Sequence, residues 1–144
     1  MKNETNNCAV FFQETLENIS PSRIQGFCDG WKKPLSPEQI FTILERSPFR
    51  QLAIDSDSGN VVGFVYALSD GINFAFIPLL EVLPHFQHRG IGSQLMQRIL
   101  QNILETGIQC IDLSCDEELV PFYQKLGMLP SHGMVIRAYL NQGT

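Results

Sequence analysis

The sequence predicts an α/β fold in which a mixed, mostly antiparallel sheet carries helices on both faces. Residues 74–83 (FAFIPLLEVL) are apolar with hardly any alternation, which suits an interior strand covered on both sides. Between residues 91 and 104 apolar side chains recur at helical spacing, as in an amphipathic helix. Turn signals at residues 57–60 and 70–71 separate the preceding apolar runs, as in β-hairpins.

Local signals place the elements before the interior strand. Ser20 and Pro21 begin a helical segment that runs to residue 28, because serine caps a helix and proline suits its first position. Ser36, Pro37 and Gln39 form a capping-box start for a second helix that ends near residue 46. The predicted strands of this half span residues 8–16, 51–55 and 61–68.

The second half adds one crossover and closes the sheet. Gly107 ends the long helix, and residues 109–114 form a strand parallel to the interior strand through a right-handed crossover. Residues 118–126 form a short helix, and residues 133–140 form the last strand. Pro78 interrupts the interior strand, where we expect the strand to part from a neighbour, since prolines in sheets favour edges and bulges. The sheet therefore has six to seven strands.

Composition limits the functions that the chain can have. Its 144 residues, 44% of them hydrophobic, suit a single domain over residues 1–144 with one core. The apolar runs are too short to cross a bilayer and the N-terminus is polar, so we expect a cytoplasmic protein. A net charge of −5 argues against nucleic-acid binding and is compatible with a cationic substrate. The cysteines and histidines lack metal-ligand spacing, so no metal is predicted.

The turn between the interior strand and the long helix has the features of an anion site. Gly90, Gly92 and Ser93 are small residues at a helix start, where backbone N–H groups lack internal partners and the helix dipole is positive. His88 and Arg89 add charge at the rim. A phosphate-binding Walker loop needs Lys-Ser or Lys-Thr after its last glycine, and a dinucleotide fingerprint needs another glycine spacing. The alternative is a helix start with flexible glycines and no ligand.

Two motifs carry a resemblance to a known family. The run from Gln87 to Gly92 (QHRGIG), preceded by Val82-Leu83-Pro84, resembles motif A of the GNAT superfamily of acetyl-CoA-dependent acyltransferases. About thirty residues later, PFYQKLGM from Pro121 to Met128 resembles the FY-x-x-x-GF element of that superfamily, with Met128 replacing the usual Phe. The resemblance implies the GNAT fold, with a sheet splayed beside the central strand, and acetyl-CoA as cosubstrate.

The resemblance also implies a coenzyme site. The pantetheine arm would lie in the gap of the splayed sheet and pair its amides with the backbone around Leu80 and Val82, while the diphosphate would lie on the glycine turn. The complete predicted set is Leu80, Val82, Gln87, His88, Arg89, Gly90, Ile91, Gly92, Ser93, Asp116 and Tyr123.

Tyr123 and Glu81 are the predicted catalytic residues. Tyr123 lies where the family keeps a tyrosine that donates a proton to the coenzyme A sulfur; the alternative is an amphipathic core tyrosine. Ser114 stands where several relatives place an acid, which leaves Glu81 as the acid of the interior strand. A carboxylate on an apolar strand has a raised pKa that suits proton abstraction, but Glu81 forming only a structural ion pair is an equal alternative. A covalent route through Cys115 lacks a neighbouring histidine.

The resemblance implies that the acceptor amine is recognised by the first two helices and the loop between them, where members of the family vary most. Phe27 and Trp31 are the candidate substrate-binding residues; the alternative for Trp31 is a cap on the core, but its isolation in a polar loop favours the acceptor site. The predicted function is transfer of an acetyl group to a primary amine of a small molecule by direct attack in a ternary complex. The alternatives are a protein or peptide acceptor and a non-catalytic acyl-CoA-binding module. Residues 135–140 are a candidate edge strand for a homodimer, as in relatives that pair through their C-terminal strands.

Overall fold

The computed structural model describes residues 9–141, which form a five-stranded sheet and three α-helices. The strands are β1 (Val10–Gln13), β2 (Phe49–Asp55), β3 (Val61–Ser69), β4 (Phe74–Val82) and β5 (Cys110–Leu113). The helices are α1 (Pro37–Arg46), α2 (Ile91–Glu105) and α3 (Val120–Gln124). Short 3-10 helices cover Pro21–Arg23, Pro84–Phe86, Glu117–Leu119 and Ala138–Asn141.

The strand order is β1-β2-β3-β4-β5, so neighbours in sequence are neighbours in the sheet. The first four strands pair antiparallel, whereas β5 pairs parallel with β4 after the α2 crossover. This arrangement confirms the predicted α/β class with a mixed, mostly antiparallel sheet. A bulge lies in β4 where Ile77 and Pro78 together oppose Ala67 of β3. The prediction that Pro78 marks an irregularity is thereby confirmed.

Apolar side chains cover both faces of the sheet, as the interior-strand pattern predicts. On one face, α2 packs its fully buried residues against the strands: Leu95, Met96, Ile99 and Ile103. On the other face, α1 and the segment before it bury Ile24, Ile40 and Leu44 against Phe64 and other residues of β2 and β3. The α1 helix begins as predicted, with the Ser36 hydroxyl accepting from the Gln39 N–H and the Gln39 side chain accepting from the Ser36 N–H.

Two predicted elements are wrong. Residues 133–140 are not a strand: residues 131–137 have no regular secondary structure, and the side chains of Met134 and Ile136 are 97% and 92% exposed. Their apolar pattern fits a strand, but pairing with a neighbour decides strand formation, so the described sheet has five strands rather than six or seven. The helix predicted from residue 21 to 28 is a single 3-10 turn, because Gly26 and Cys28 adopt left-handed backbone angles (φ 87° and 61°).

Other boundaries differ in detail. The predicted helix over residues 118–126 begins as the 3-10 turn Glu117–Leu119 and continues as α3. Cys8, at the start of the predicted first strand, lies outside the described residues. Among residues 9–141, no helix combines the length and the apolar composition needed to span a membrane.

Asp70 organises the hairpin that leads into β4. Its Oδ1 accepts hydrogen bonds from the backbone N–H groups of Ile72, Asn73 and Phe74 at 2.9, 2.8 and 3.1 Å. These bonds, that from Asn73 foremost, lower the pKa of Asp70 below its usual range. The ionised carboxylate therefore fixes the entry to the central strand.

We predict that Asp70→Ala lowers the Tm at neutral pH, whereas Asp70→Asn loses less because its amide oxygen still accepts hydrogen bonds. Since the folded-state pKa of Asp70 is lowered, its stabilisation is present above the unfolded-state pKa and disappears as the pH falls through the folded-state pKa. The Tm difference between the wild type and Asp70→Ala should accordingly shrink on acidification. Thermal unfolding by circular dichroism at several pH values measures it; equal Tm values at neutral pH would contradict this role.

Candidate active site

The site forms where β5 separates from β4. The parallel ladder joins Phe74 with Cys110 through Ile77 with Leu113, and β4 continues beyond it to Val82. Within the described residues, no strand pairs with this last part of β4 on the side away from β3. The β4 backbone is therefore open at this edge.

Backbone alternation shows which peptide groups face the open edge. The Leu83 N–H donates to the Val62 carbonyl of the neighbouring β3 side at 2.9 Å. Since antiparallel residues alternate between facing the partner strand and facing away, Leu80 and Val82 direct their N–H and C=O groups outward. Consistent with this direction, the Val82 carbonyl accepts a hydrogen bond from Gln87 Nε2 at 3.0 Å. Leu80 thus presents its N–H and C=O groups at the edge and Val82 presents its N–H group, and their pairing with pantetheine stays a prediction.

The turn after β4 brings the start of α2 next to the open edge of β4. His88 and Gly90 adopt left-handed backbone angles (φ 63° and 77°), and Gly90 is the N-cap residue of α2. No side chain caps this helix, and the first N–H donation recorded within it runs from Gln94 to the Gly90 carbonyl at 3.1 Å. The N–H groups of Ile91, Gly92 and Ser93 therefore remain available for an acceptor.

Gly92 is the point where three elements meet. A Cβ built on Gly92 would lie 3.7 Å from the Phe122 ring, 3.8 Å from Val82 Cγ2 and 3.9 Å from Leu80 Cδ2. The start of α2, the open edge of β4 and the α3 helix thus surround one small space. The position has room for a methyl group, so glycine lets the start of α2 lie close to the open edge of β4.

Tyr123 lies beside this space on the α2 face of the sheet. It packs against the core under α2 and makes an edge-to-face contact with Phe122, with ring centroids 4.9 Å apart. Burial raises the pKa of the Tyr123 hydroxyl, and the nearby Cys115 thiol raises it further. The hydroxyl therefore stays protonated at neutral pH and is available as a donor.

Glu81 lies on the opposite face of β4. Its Oε1 accepts the Cys28 backbone N–H at 2.8 Å, and its Oε2 lies 3.8 Å from Cys28 Sγ. Burial raises the pKa of Glu81, while the two hydrogen bonds from Cys28 oppose the rise. Its two hydrogen-bond partners here are an amide and a thiol, and its role as proton acceptor or as a structural residue stays a prediction. The sheet carries Tyr123 and Glu81 on its two faces.

The remaining predicted site residues differ in their exposure to solvent. Phe27 is buried against Phe64 in an edge-to-face contact of 4.9 Å on the Glu81 face, whereas Trp31 is 44% exposed in the following loop. The Arg89 guanidinium lies over the Phe86 ring, 5.2 Å from its centroid. Asp116 is exposed and occupies the N-cap position of the 3-10 turn before α3, without a side-chain cap hydrogen bond.

Comparison with known proteins then settles the family. The description "Acetyltransferase (GNAT) family" matches residues 15–128, which include the glycine turn, the open edge and α3. The chain belongs to the GNAT acetyltransferase family. It is therefore an acyltransferase, as its two motifs predict.

Relatives of this GNAT chain are bacterial, algal and plant proteins. It is 31% identical over 124 residues to the uncharacterized N-acetyltransferase ycf52 of Porphyra purpurea, covering 83% of this chain and 70% of the relative. It is 28% identical over 123 residues to GCN5-related N-acetyltransferase 2, chloroplastic, of Arabidopsis thaliana, covering 72% and 48%. The latter name includes a compartment, and a cytoplasmic location for the present chain stays a prediction.

A solved structure shares the fold closely. The crystal structure of a candidate acetyltransferase from Deinococcus radiodurans R1 superposes with a TM-score of 0.84 at 46% identity, covering 92% of this chain and 91% of the other. The predicted GNAT fold is thereby confirmed.

One contact of a predicted site residue in this GNAT domain was absent from the predictions. Cys28 comes into contact with Glu81 across 53 residues of sequence. A cysteine in a left-handed conformation gives no signal in a single sequence, so this partner was found only through the tertiary contact. The left-handed His88 likewise escaped prediction, because only glycine and asparagine mark such positions clearly.

We predict opposite effects of alanine at the two glycines of the turn. Gly90→Ala should cost about 1 kcal/mol of unfolding free energy, because a Cβ is strained at its left-handed φ. Gly92→Ala should be neutral or stabilise by up to about 1 kcal/mol, because Gly92 is helical and its added Cβ meets only ordinary van der Waals contacts. Urea denaturation of both variants measures the two free energies, and Gly90→Asn serves as a control that tolerates the left-handed region. Equal destabilisation by both alanines would contradict this account.

Proposed function

We propose that the chain transfers an acetyl group from acetyl-CoA to a primary amine of a small molecule, by direct attack in a ternary complex. One observation carries the proposal. The uncapped start of α2 and the open edge of β4 face the same space around Gly92. Positioning two reactants in such a groove supplies effective molarities on the order of 10⁵ M or more in favourable cases.

Several groups support coenzyme binding. The N–H groups of Ile91, Gly92 and Ser93 would hold the diphosphate, since a helix N-terminus combines free donors with the positive end of the dipole. His88 and Arg89 are exposed at the rim, where they would add positive charge. Because the global charge is −5 and the coenzyme is polyanionic, binding must rely on these local groups.

The open edge would hold the rest of the coenzyme. Leu80 and Val82 would pair their outward backbone groups with pantetheine amides, as an additional strand would. Gln87 already occupies the Val82 carbonyl through its side chain and would brace the turn that carries the diphosphate site. Asp116, exposed at the start of the α3 region, would contact the coenzyme from the opposite side of the gap.

Tyr123 would protonate the departing thiolate. Burial raises the pKa of its hydroxyl, and its packing on the α2 face supports a position beside the gap that the coenzyme would occupy. A phenol serves as an acid here because the thiolate is generated only transiently in the reaction.

Glu81 would accept the proton of the attacking amine. Burial raises the pKa of its carboxyl toward neutrality, which suits a group that must take up a proton. Because Glu81 of β4 and Tyr123 of α3 lie on opposite faces of the sheet, the amine would approach from one face while the sulfur departs toward the other. Phe27 would then form the floor of the acceptor site and Trp31 its exposed wall.

We predict that Tyr123→Phe lowers kcat for acetyl transfer by about 10²-fold while leaving acetyl-CoA affinity nearly unchanged, because it removes only the proton donor. Coenzyme A release with a panel of small amines and a lysine-containing peptide measures turnover, and calorimetry measures binding. Tyr139→Phe, in the C-terminal 3-10 helix, is the matched control. Preferred turnover of the peptide would favour a protein acceptor, and acetyl-CoA binding without any turnover would favour a regulatory module. An absence of acetyl-CoA binding would overturn the proposal.

We also propose that the chain forms a homodimer through its C-terminal segment. Apolar side chains there are exposed: Met134, Val135, Ile136 and Leu140. Exposed apolar patches mark interaction surfaces. The edge-strand form of the dimer is not retained, because the segment is not a strand.

We predict that Ile136→Asp shifts the association equilibrium toward monomer in sedimentation experiments, whereas Ile72→Asp at the exposed hairpin does not. A wild-type monomer at all concentrations would contradict this proposal.

A further inference from the structure

We propose that Cys28 is a positioning residue that holds the Glu81 carboxylate through its backbone N–H and its thiol. The assignment rests on the proposed function in one respect, namely that Glu81 accepts the substrate proton. The contact itself rests on geometry: the backbone N–H lies 2.8 Å from Oε1 and the sulfur 3.8 Å from Oε2. Two donors from one residue thus meet the two oxygens of one carboxylate.

The turn that carries Cys28 is shaped for this contact. Gly26 and Cys28 both adopt left-handed angles, and a non-glycine residue at φ 61° is uncommon and strained unless its surroundings maintain it. Cys28 is only 1% exposed, and its carbonyl accepts the Trp31 N–H at 3.2 Å. The strained conformation directs the Cys28 N–H at Glu81 and leads the chain outward to Trp31.

Two contacts attach this turn to the Glu81 face of the sheet. The Phe27 ring packs on Phe64, and the Cys28 N–H donates to Glu81. Any movement of the acceptor loop must therefore be transmitted to the carboxylate, which couples the shape of the acceptor site to the position of the proton acceptor.

The protonation states of the neighbouring groups fit this role. The titratable groups that influence one another at the turn are Cys28, Glu81 and Tyr66. Burial foremost raises the pKa of the Cys28 thiol, and the Glu81 charge raises it further, so the sulfur keeps its proton and donates. Burial foremost raises the pKa of the Tyr66 hydroxyl, and Cys28 adds to the rise. The donors facing the carboxylate are therefore neutral and do not abolish its basicity, as a lysine or arginine partner would.

The test compares Cys28→Ser with Cys28→Ala, and uses Cys110→Ser on the exposed β5 position as the control. The backbone N–H contact survives in every variant, so the comparison isolates the side-chain donor. A serine hydroxyl donates a stronger hydrogen bond than a thiol, and alanine donates none. Because hydrogen bonds to the ionised form lower the pKa of a carboxyl, the serine variant should titrate Glu81 at lower pH and the alanine variant at higher pH than the wild type.

The primary measurement is a carbon NMR titration of the side-chain carboxyl groups of glutamate, in which the Glu81 signal is identified by its loss in Glu81→Gln. This measurement needs no substrate. In parallel, the acid limb of the pH profile of kcat/KM should move in the same directions, so that the serine and alanine variants differ by about threefold or more at a fixed pH on that limb.

The outcomes separate this proposal from the proposed function. Opposite shifts of the Glu81 titration in the two variants, with Cys110→Ser unchanged, support Cys28 as the positioning residue. An unchanged titration in folded variants overturns it, and should Cys28→Ala fail to fold, the downward shift in Cys28→Ser decides alone. Opposite shifts together with an acid limb that persists in Glu81→Gln support the contact but reject Glu81 as the proton acceptor in the proposed function.

Discussion

The open edge of β4 is the constraint on which the rest of this structure depends. Backbone N–H and C=O groups require partners, and the interior strands of a sheet normally find them on both sides. In this chain β5 ends at Leu113, the bulge at Ile77 and Pro78 breaks the β3–β4 register, and within residues 9–141 no strand pairs with the last part of β4 on the side away from β3. A strand end with unpaired peptide groups is suited to bind an extended ligand that carries amides.

The α2 helix begins beside that edge, so its N-terminal N–H groups lie close to the end of β4. Its buried residues, among them Leu95 and Ile99, pack on the sheet and hold its N-terminus near the end of β4. The same packing that stabilises the core thus orients the free N–H groups. Gly92 allows the approach, because any larger side chain would fill the space among Leu80, Val82 and Phe122.

The two predicted catalytic residues lie on opposite faces of the sheet. Tyr123 lies on the face that α2 covers, and Glu81 lies on the face that the first part of the chain covers. Burial raises the pKa of both side chains. The Tyr123 phenol therefore stays protonated and can donate a hydrogen bond, whereas the Glu81 carboxyl becomes more basic and is better suited to accept a proton. Alternation along a strand and packing on two sides are sufficient to produce this separation.

The sequence by itself determined where strands β1 to β5 lie along the chain, the amphipathic helix α2 and the glycine turn before it, because these depend on local periodicity and on the backbone freedom of glycine. It also indicated the irregularity at Pro78, since proline lacks an N–H. Only the tertiary structure decided that Cys28 contacts Glu81, that residues 21–28 turn instead of forming a helix, and that residues 133–140 leave the outer edge of β5 unpaired. The physical reason is that strand pairing, strained turns and contacts across 53 residues depend on the spatial neighbours of a segment. The spacing of apolar residues along the chain does not specify those neighbours.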